Sequence, residues 1–262
     1  MTKLCKLITK WPAGAVGVQA WLQKQQIYKQ LSNKYVASGW LIKIGKGAYM
    51  RAGDKLTWHG GVYALQKDLG LKIHVGGLSA LELLGRSHFV PMGAHSRIYL
   101  YANSRDVPRY LPKWFQELKN VTHIYVLTEL FSSNLALMDF DCGSFTIQIS
   151  EPERALFEML SLVPHKMSFD HACLLMEHQH DLRSDVVQQL LEECKSQVLK
   201  RLFLYLARQF NLDFMPRVSL KNVNIGRGLR HIGNGEVYDR KLDLYVPKMS
   251  PDIDPNQEVP DV

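Results

Sequence analysis

Lys29, Gln30 and Asn33, with Gln26 just ahead of them, are the residues of this chain best suited by type and spacing to recognition chemistry. On a helix they share an outward face, while Ile27, Leu31 and Tyr35, at i, i+4 and i+8, take the opposite one. Gln and Asn can make bidentate hydrogen bonds to adenine edges, and Lys can donate to guanine or to phosphate. A helix lying in the major groove reads bases with its N-terminal half. Gln26, Lys29, Gln30 and Asn33 are therefore the candidate base readers, and Ser32 could join them. Lys43, Lys46 and Arg51 lie on or beside a Gly45-Lys46-Gly47 turn and are candidates for holding phosphates or the minor groove. A polar helix face is often plain solvated surface, and charge favours the other reading here. Residues 1–55 hold ten Lys/Arg and one acid, Asp54, a formal charge of +9, against +7 for the whole chain. Such concentration is the electrostatic footprint of a duplex nucleic-acid reader.

A second basic stretch, residues 195–230, carries eight Lys/Arg against Asp213 alone. Within it Lys200 and Arg208 stand two helical turns apart, with Arg201 beside them, so all three could snorkel to solvent from one helix. The stretch reads either as a solvated face or as a second anion-binding surface for DNA backbone or RNA.

Nothing reads as an active site. Gly226-Arg227-Gly228 lacks the spaced Gly-Lys-Ser/Thr of a P-loop, and no GxSxG elbow is present. His171, Cys173, His178 and His180 match no common zinc spacing. Glu151, Glu153 and Glu158 could act as general acids or bases. The first two fit a capping box, Ser150-Glu151-Pro152-Glu153, in which the Ser150 hydroxyl accepts the N3 amide and Glu153 reaches back. Asp139 and Asp141 flank an expected hairpin without a nuclease-type Glu-x-Lys. We therefore expect no catalytic residues, no metal and no cofactor, and a protein that is not an enzyme.

The elements that must position these residues follow from periodicity. Helices are expected over 2–11, 16–23 and 27–38, the last stopped by Gly39, followed by a tight hairpin over 40–51. That order is a winged helix-turn-helix. Beyond it come helices over 56–70, 78–84, 108–118, from 150 to about 162, and over 168–179, 185–194 and 197–209. Strands are expected at 74–77, 97–101, 121–127 and 143–149, with a final hairpin turning at Asn234-Gly235. The fold class is α+β: a winged helix-turn-helix domain over 1–55, a mixed α/β domain over 56–246, and a Pro- and Asp-rich tail, 247–262, expected to be disordered.

With 262 residues, 46% hydrophobic and 22% charged, the chain can bury a substantial core. No apolar run approaches the roughly 20 residues of a membrane span. The start of the chain has no long apolar stretch of signal-peptide type. Cys5, Cys142, Cys173 and Cys194 form no CxxC pair, which fits free thiols in a reducing, cytoplasmic compartment.

Several segments resemble the AbiEi family of bacterial antitoxins. They are Tyr35-Val36-Ala37-Ser38-Gly39-Trp40-Leu41 running into Ile44-Gly45-Lys46-Gly47-Ala48-Tyr49, His74-Val75-Gly76-Gly77-Leu78-Ser79-Ala80-Leu81-Glu82-Leu83, Ser150-Glu151-Pro152-Glu153-Arg154-Ala155, Lys200-Arg201-Leu202-Phe203-Leu204-Tyr205-Leu206-Ala207 and Tyr238-Asp239-Arg240-Lys241-Leu242. Each is short, and together, in this order, they span nearly the whole chain apart from its tail. The resemblance implies an antitoxin and autoregulator of a type IV abortive-infection (phage-defence) system. Its N-terminal winged helix would repress the operon by binding promoter repeats in double-stranded DNA. Its C-terminal domain would counter a nucleotidyltransferase-like toxin, with direct contact not presumed. The resemblance brings no catalytic residues. The alternative reading is a stand-alone DNA- or RNA-binding regulator with a protein-interaction domain and no toxin. A third is a nucleic-acid-processing enzyme.

Overall fold

The computed structural model describes residues 2–86, 96–119 and 121–250. Its helices and sheets make a mixed α+β fold in two compact units. The first comprises Met1–His74, Gly93–Leu127 and Met138–Ile149, and the second Val75–Met92, Thr128–Leu137 and Ser150–Val262.

The first unit opens with α1 (Lys3–Lys10), capped by the Thr2 hydroxyl, which accepts from Cys5 N at 3.2 Å. Then come β1 (Gly17–Val18), α2 (Gln19–Lys24), α3 (Lys29–Ala37), β2 (Leu41–Gly45) and β3 (Ala48–Arg51). The strands form a small sheet in the order β1-β3-β2, with both pairs antiparallel. This is the winged helix-turn-helix expected from the sequence. One departure is that residues 17–18, expected to be helical, are drawn into the sheet by pairing with Tyr49 and Ala48. The core is Leu7, Trp11, Leu22, Ile27, Leu41 and Tyr49. In it the Trp11 and Trp21 rings meet edge to face at 5.1 Å.

The same unit continues through α4 (Trp58–Tyr63), which passes directly into a π-helical turn, Ala64–Asp68. A five-stranded sheet follows in the order β6-β5-β4-β8-β7. Its strands are β4 (Ile73–Val75), β5 (Ser96–Asn103), β6 (Val121–Thr128), β7 (Leu137–Asp141) and β8 (Thr146–Ser150). Gln66 fastens the π-turn to this sheet: its amide donates to Ile73 O and Gln148 O and accepts from Gln148 N, all within 3.0 Å. The helix expected over 108–118 shrinks to α6 (Lys113–Gln116). Pro108 and Pro112 each bias the preceding residue away from helical dihedrals, so the helix begins only after Pro112.

The second unit gathers α5 (Gly77–Leu83), α7 (Pro152–Leu160), α8 (Phe169–Glu177), α9 (Ser184–Glu193) and α10 (Gln197–Gln209). A stack of Phe131, Phe157, Phe203 and Phe214, with successive centroids 5.9, 4.2 and 5.8 Å apart, runs through it. Its small sheet has the order β10-β11-β9, from β9 (Arg230–His231), β10 (Val237–Asp239) and β11 (Leu244–Val246). The expected hairpin at Asn234-Gly235 is not formed. β9 runs parallel to β11, and the antiparallel turn lies between Asp239 and Leu244. There Leu242 N donates to Asp239 Oδ1 and Asp243 takes a positive φ. Gly235 has a different use: a Cβ there would fall 2.7 Å from the Tyr245 backbone.

The expected capping box is also overturned. Glu151 is the N-cap residue and makes no side-chain capping bond. The Ser150 hydroxyl instead donates to Glu158 Oε2 at 2.7 Å, a buried oxygen that also accepts from Gly77 N at 3.1 Å. Arg154 Nε donates to Glu158 Oε1 at 2.9 Å, while its Nη1 serves Ser133 O and Leu135 O. Glu153 and Glu151 accept from Arg183. Burial pushes the Glu153 carboxyl up, but the Arg183 hydrogen bonds and charge outweigh it and hold the carboxyl low. Arg183 competes successfully for these carboxylates because a guanidinium fork binds them more strongly than a backbone amide does. The motif is a polar core of the second unit. From 251 onward the expected disordered tail lies outside the described residues.

Glu158→Ala is expected to strand the Arg154 charge, the Ser150 hydroxyl and the Gly77 N–H, at a cost of about 3–5 kcal/mol. Urea unfolding followed by far-UV circular dichroism checks this, and Glu158→Gln, which keeps the shape, should cost less.

Candidate nucleic-acid interface

α2 and α3 are joined by a turn in which Gln26 takes a positive φ of 62° and Ile27 plugs the core. Ile27 N donates to Leu22 O at 2.9 Å. The side chain of Gln19, the first residue of α2, sets the geometry of everything around this turn. Its Nε2 donates to Ile27 O at 3.0 Å, and its Oε1 accepts from Ser32 Oγ at 3.1 Å and Tyr49 OH at 3.2 Å. Its backbone N–H donates to Gly47 O at 2.8 Å. One residue thus ties α2, the turn, α3, β3 and the wing turn together.

Lys29, Gln30 and Asn33 are exposed on α3, as the periodicity predicts, and Lys34 is exposed beside them. Leu31 and Tyr35 pack on the core. Gln26 is exposed but sits in the turn rather than on the helix. Ser32 does not face out: it is fully buried, held by Gln19 and by Tyr28 O. Its small hydroxyl fits inward because the half-buried Gln19 supplies an acceptor, which periodicity cannot reveal. Lys43 and Lys46 are exposed on β2 and at the wing turn.

Arg51 departs from expectation. Its guanidinium forks onto Asp54 at 3.0 Å through both Nε and Nη2, and Nη1 reaches Ile8 O and Trp11 O at 3.4 and 3.0 Å. It joins β3 to the end of α1, so its guanidinium is engaged within the protein. Burial pushes the Asp54 carboxyl up, but the Arg51 hydrogen bond and the Gly14 N–H outweigh it and keep it low.

α1 adds cations beyond the candidate residues. Lys3, Lys6 and Lys10 are exposed and recur at i, i+3 and i+7, on one side of the helix. Lys10 Nζ reaches Gln25 Oε1, at the turn before α3, at 3.4 Å. The signal was present in the charge count of 1–55, because every lysine in that segment is exposed. Among the described residues none of these lysines has a carboxylate within ion-pair distance.

Below this face lies Asp68, at the end of the π-turn. It is 9% exposed, and its Oδ2 accepts from Val18 N at 3.4 Å, next to the start of α2. Burial raises its carboxyl to about 6, with the Val18 N–H and the Lys24 charge opposing.

Within the second basic stretch Lys195, Arg217, Lys221 and Arg227 are exposed, but the α10 cations do not reach solvent as expected. Lys200 is 3% exposed and Arg201 1%. Arg201 Nε donates to Ile225 O, and its Nη1 to Gly228 O and Asp243 O, at 2.7–2.8 Å. These bonds hold the chain that forms the β9–β11 sheet. Burial pulls the Lys200 ammonium below its ordinary value. Arg208 is paired with Asp239. α10 is so enclosed by the second unit that its cations are internal ties; snorkelling requires a face open to water. Among the described residues no cluster of three or more His, Cys, Asp or Glu could hold a metal ion. Among the same residues no helix is long and apolar enough to cross a membrane.

A basic, polar α3 presented beside a wing defines a winged helix-turn-helix regulator. Family comparisons give the particular kind. Residues 1–92 match the N-terminal domain of the AbiEi antitoxin transcriptional regulators, and residues 95–247 match the transcriptional regulator, AbiEi antitoxin, of type IV toxin–antitoxin systems. The chain belongs to the AbiEi antitoxin family. Among solved structures it is similar to the RV2827C protein from Mycobacterium tuberculosis, with a TM-score of 0.57 and 14% identity, over 93% of this chain and 89% of that one. At that identity the likeness concerns the fold alone. No curated protein matches the chain.

The Asp68 carboxyl is raised in the folded state from 3.8 to about 6. The folded form therefore holds a proton that the unfolded chain releases, and this contribution to stability is full below about pH 4 and lost as pH rises through about 6. Asp68→Asn is expected to abolish that decline, so the variant gains on the parent between pH 4 and pH 7 in urea titrations read by tryptophan fluorescence. Arg201→Ala is expected to remove three hydrogen bonds that a buried guanidinium makes to Ile225 O, Gly228 O and Asp243 O, and to lower the urea midpoint, whereas a mere surface cation could be removed without effect.

Proposed function

We propose that this protein represses its own operon by binding promoter DNA through residues 1–55, and that the remainder of the chain to Val246 counters a nucleotidyltransferase-like toxin. The observation that carries the first part is the exposed lysine array around α3, free of carboxylate partners among the described residues, on a face where Gln30 and Asn33 can read base edges. Unpaired lysines keep their full charge available for phosphate, and each phosphate neutralised releases condensed counterions. α3 would supply the base contacts. Lys43 and Lys46 on the wing, with Lys3, Lys6 and Lys10 on α1, would fix its register on the backbone. Arg51, Lys200, Arg201 and Arg208 have no part in this reading, since each is engaged within the protein or buried. The antitoxin part rests on family membership alone, and direct contact with the toxin is not presumed.

Fluorescence anisotropy on the promoter fragment tests the assignment. Lys29→Ala and Asn33→Ala are each expected to weaken specific binding by about 1–3 kcal/mol where they meet a base. Lys46→Ala should weaken binding to every duplex alike and reduce the salt dependence. If deleting residues 1–55 left the promoter shift intact, the assignment would be lost. Growth rescue on co-expression with the nucleotidyltransferase of the same operon tests the antitoxin part.

A further inference from the structure

The exposed cations of the first unit do not end at the wing. α6 packs against β2 so closely that a Cβ on Gly45 would lie 2.6 Å from the Trp114 Cβ and 3.1 Å from its Cα. Lys113 precedes Trp114, so its Cα lies within about 7 Å of the same point. Lys46 follows Gly45. Two exposed lysines therefore flank one spot, one from the wing and one from the segment that follows β5.

Three residues before Lys113, Tyr110 is 70% exposed, and the Arg109 guanidinium sits 5.6 Å from the centroid of its ring. The segment presenting them is tied on both sides. Tyr125 OH donates to Pro108 O at 3.2 Å, and Gln116 Nε2 donates to the carbonyl of Leu111, a buried residue. Asp106 and Glu117 are the nearby acids in sequence. Among the described residues neither Arg109 nor Lys113 has a carboxylate within ion-pair distance. A segment tied at both ends that offers a guanidinium fork, a phenol and an ammonium suits phosphate and sugar.

We propose that Arg109, Tyr110 and Lys113 form a second DNA contact that flanks the wing and grips the duplex backbone beyond the base pairs read by α3. This rests on the promoter-binding reading above. It extends the contact surface from the winged helix onto the segment between β5 and β6. The contact is independent of sequence, so it strengthens binding to any duplex and lengthens the footprint without adding specificity.

The test uses the full chain and anisotropy titrations, between about 50 and 200 mM salt, on the promoter duplex and on an unrelated duplex of equal length. The double variant Arg109→Ala/Lys113→Ala is expected to lower the slope of log K against log salt by about 0.9 per phosphate lost, close to 2 for the pair, on both duplexes. Arg109→Lys/Lys113→Arg should restore the slope, and Tyr110→Ala should weaken binding without changing it. An unchanged slope in the double variant, alongside a reduced one in Lys46→Ala, would overturn this contact and leave promoter binding by the winged helix standing. A parent protein that binds neither duplex would sink both. A double variant that keeps its slope but loses growth rescue from the toxin would assign the protrusion to a protein partner and reject the DNA contact.

Discussion

The polar constraint that fixes how α3 is rotated on its apolar core is the carboxamide of Gln19. Its N–H group holds the carbonyl of Ile27, and its oxygen takes the hydroxyls of Ser32 and Tyr49. A buried amide left unsatisfied costs about 1–3 kcal/mol, so this arrangement is all or nothing. Ser32 must face Gln19, which rotates α3 so that Lys29, Gln30 and Asn33 look outward. Tyr49 must lie on β3 where it does, which sets the wing relative to α3. The backbone N–H of Gln19, bonded to Gly47 O, adds the wing turn itself. Specific groove reading needs side chains placed to within a fraction of an ångström, and a satisfied polar hub supplies that more sharply than apolar packing does.

The chain divides its two kinds of cation by task. Arg51, Arg154 and Arg201 are turned inward onto carboxylates and carbonyls, and Arg183, half exposed, forks onto two carboxylates. The lysines of residues 1–55 are all left in water. The division follows from their chemistry: a guanidinium is weakly hydrated and forks onto planar acceptors, whereas an ammonium is strongly hydrated and expensive to bury. A net charge adds the two together. That is why the lysine-rich surplus at the start of the chain lies on exposed side chains, while the surplus of 195–230 is shared between enclosed cations of α10 and exposed ones around it. Arg109 departs from this pattern, as do Arg217, Arg227 and Arg240: each is an exposed arginine, and Arg109 has a tyrosine ring beside it.

Periodicity made the helices of both units and the order of the winged helix legible, because one apolar stripe per helix is a strong local signal. Where it failed, a long-range partner decided. Ser150 and Glu153 have the spacing of a capping box, but Glu158 and Arg183 offer charged partners that a backbone amide cannot match. Asn234-Gly235 has the composition of a turn, yet β9 finds a parallel neighbour in β11, and sequence spacing says nothing of parallel pairing. Pro112 could have been used more fully, since its effect on Leu111 is local and forbids a continuous helix from 108. Of the candidate site, the polar face of α3 and the wing lysines were readable, whereas the inward turn of Ser32 and Arg51 depended on Gln19 and Asp54.

The winged helix is also not a free module on its own unit. Val18, at the entry to α2, is bonded to Asp68 of the π-turn, and Gln66 of the same turn is bonded to β4 and β8. On the other side Gly45 lies against Trp114, at a distance that only a missing side chain allows. The helix-turn-helix is thereby held to the five-stranded sheet at its base and at its wing. A wing anchored in this way has little freedom to swing into a groove on its own. On the proposed reading, DNA that met Lys46 would approach along the surface that also carries Lys113, and the shape of duplex accepted would be set by the whole first unit rather than by α3 alone.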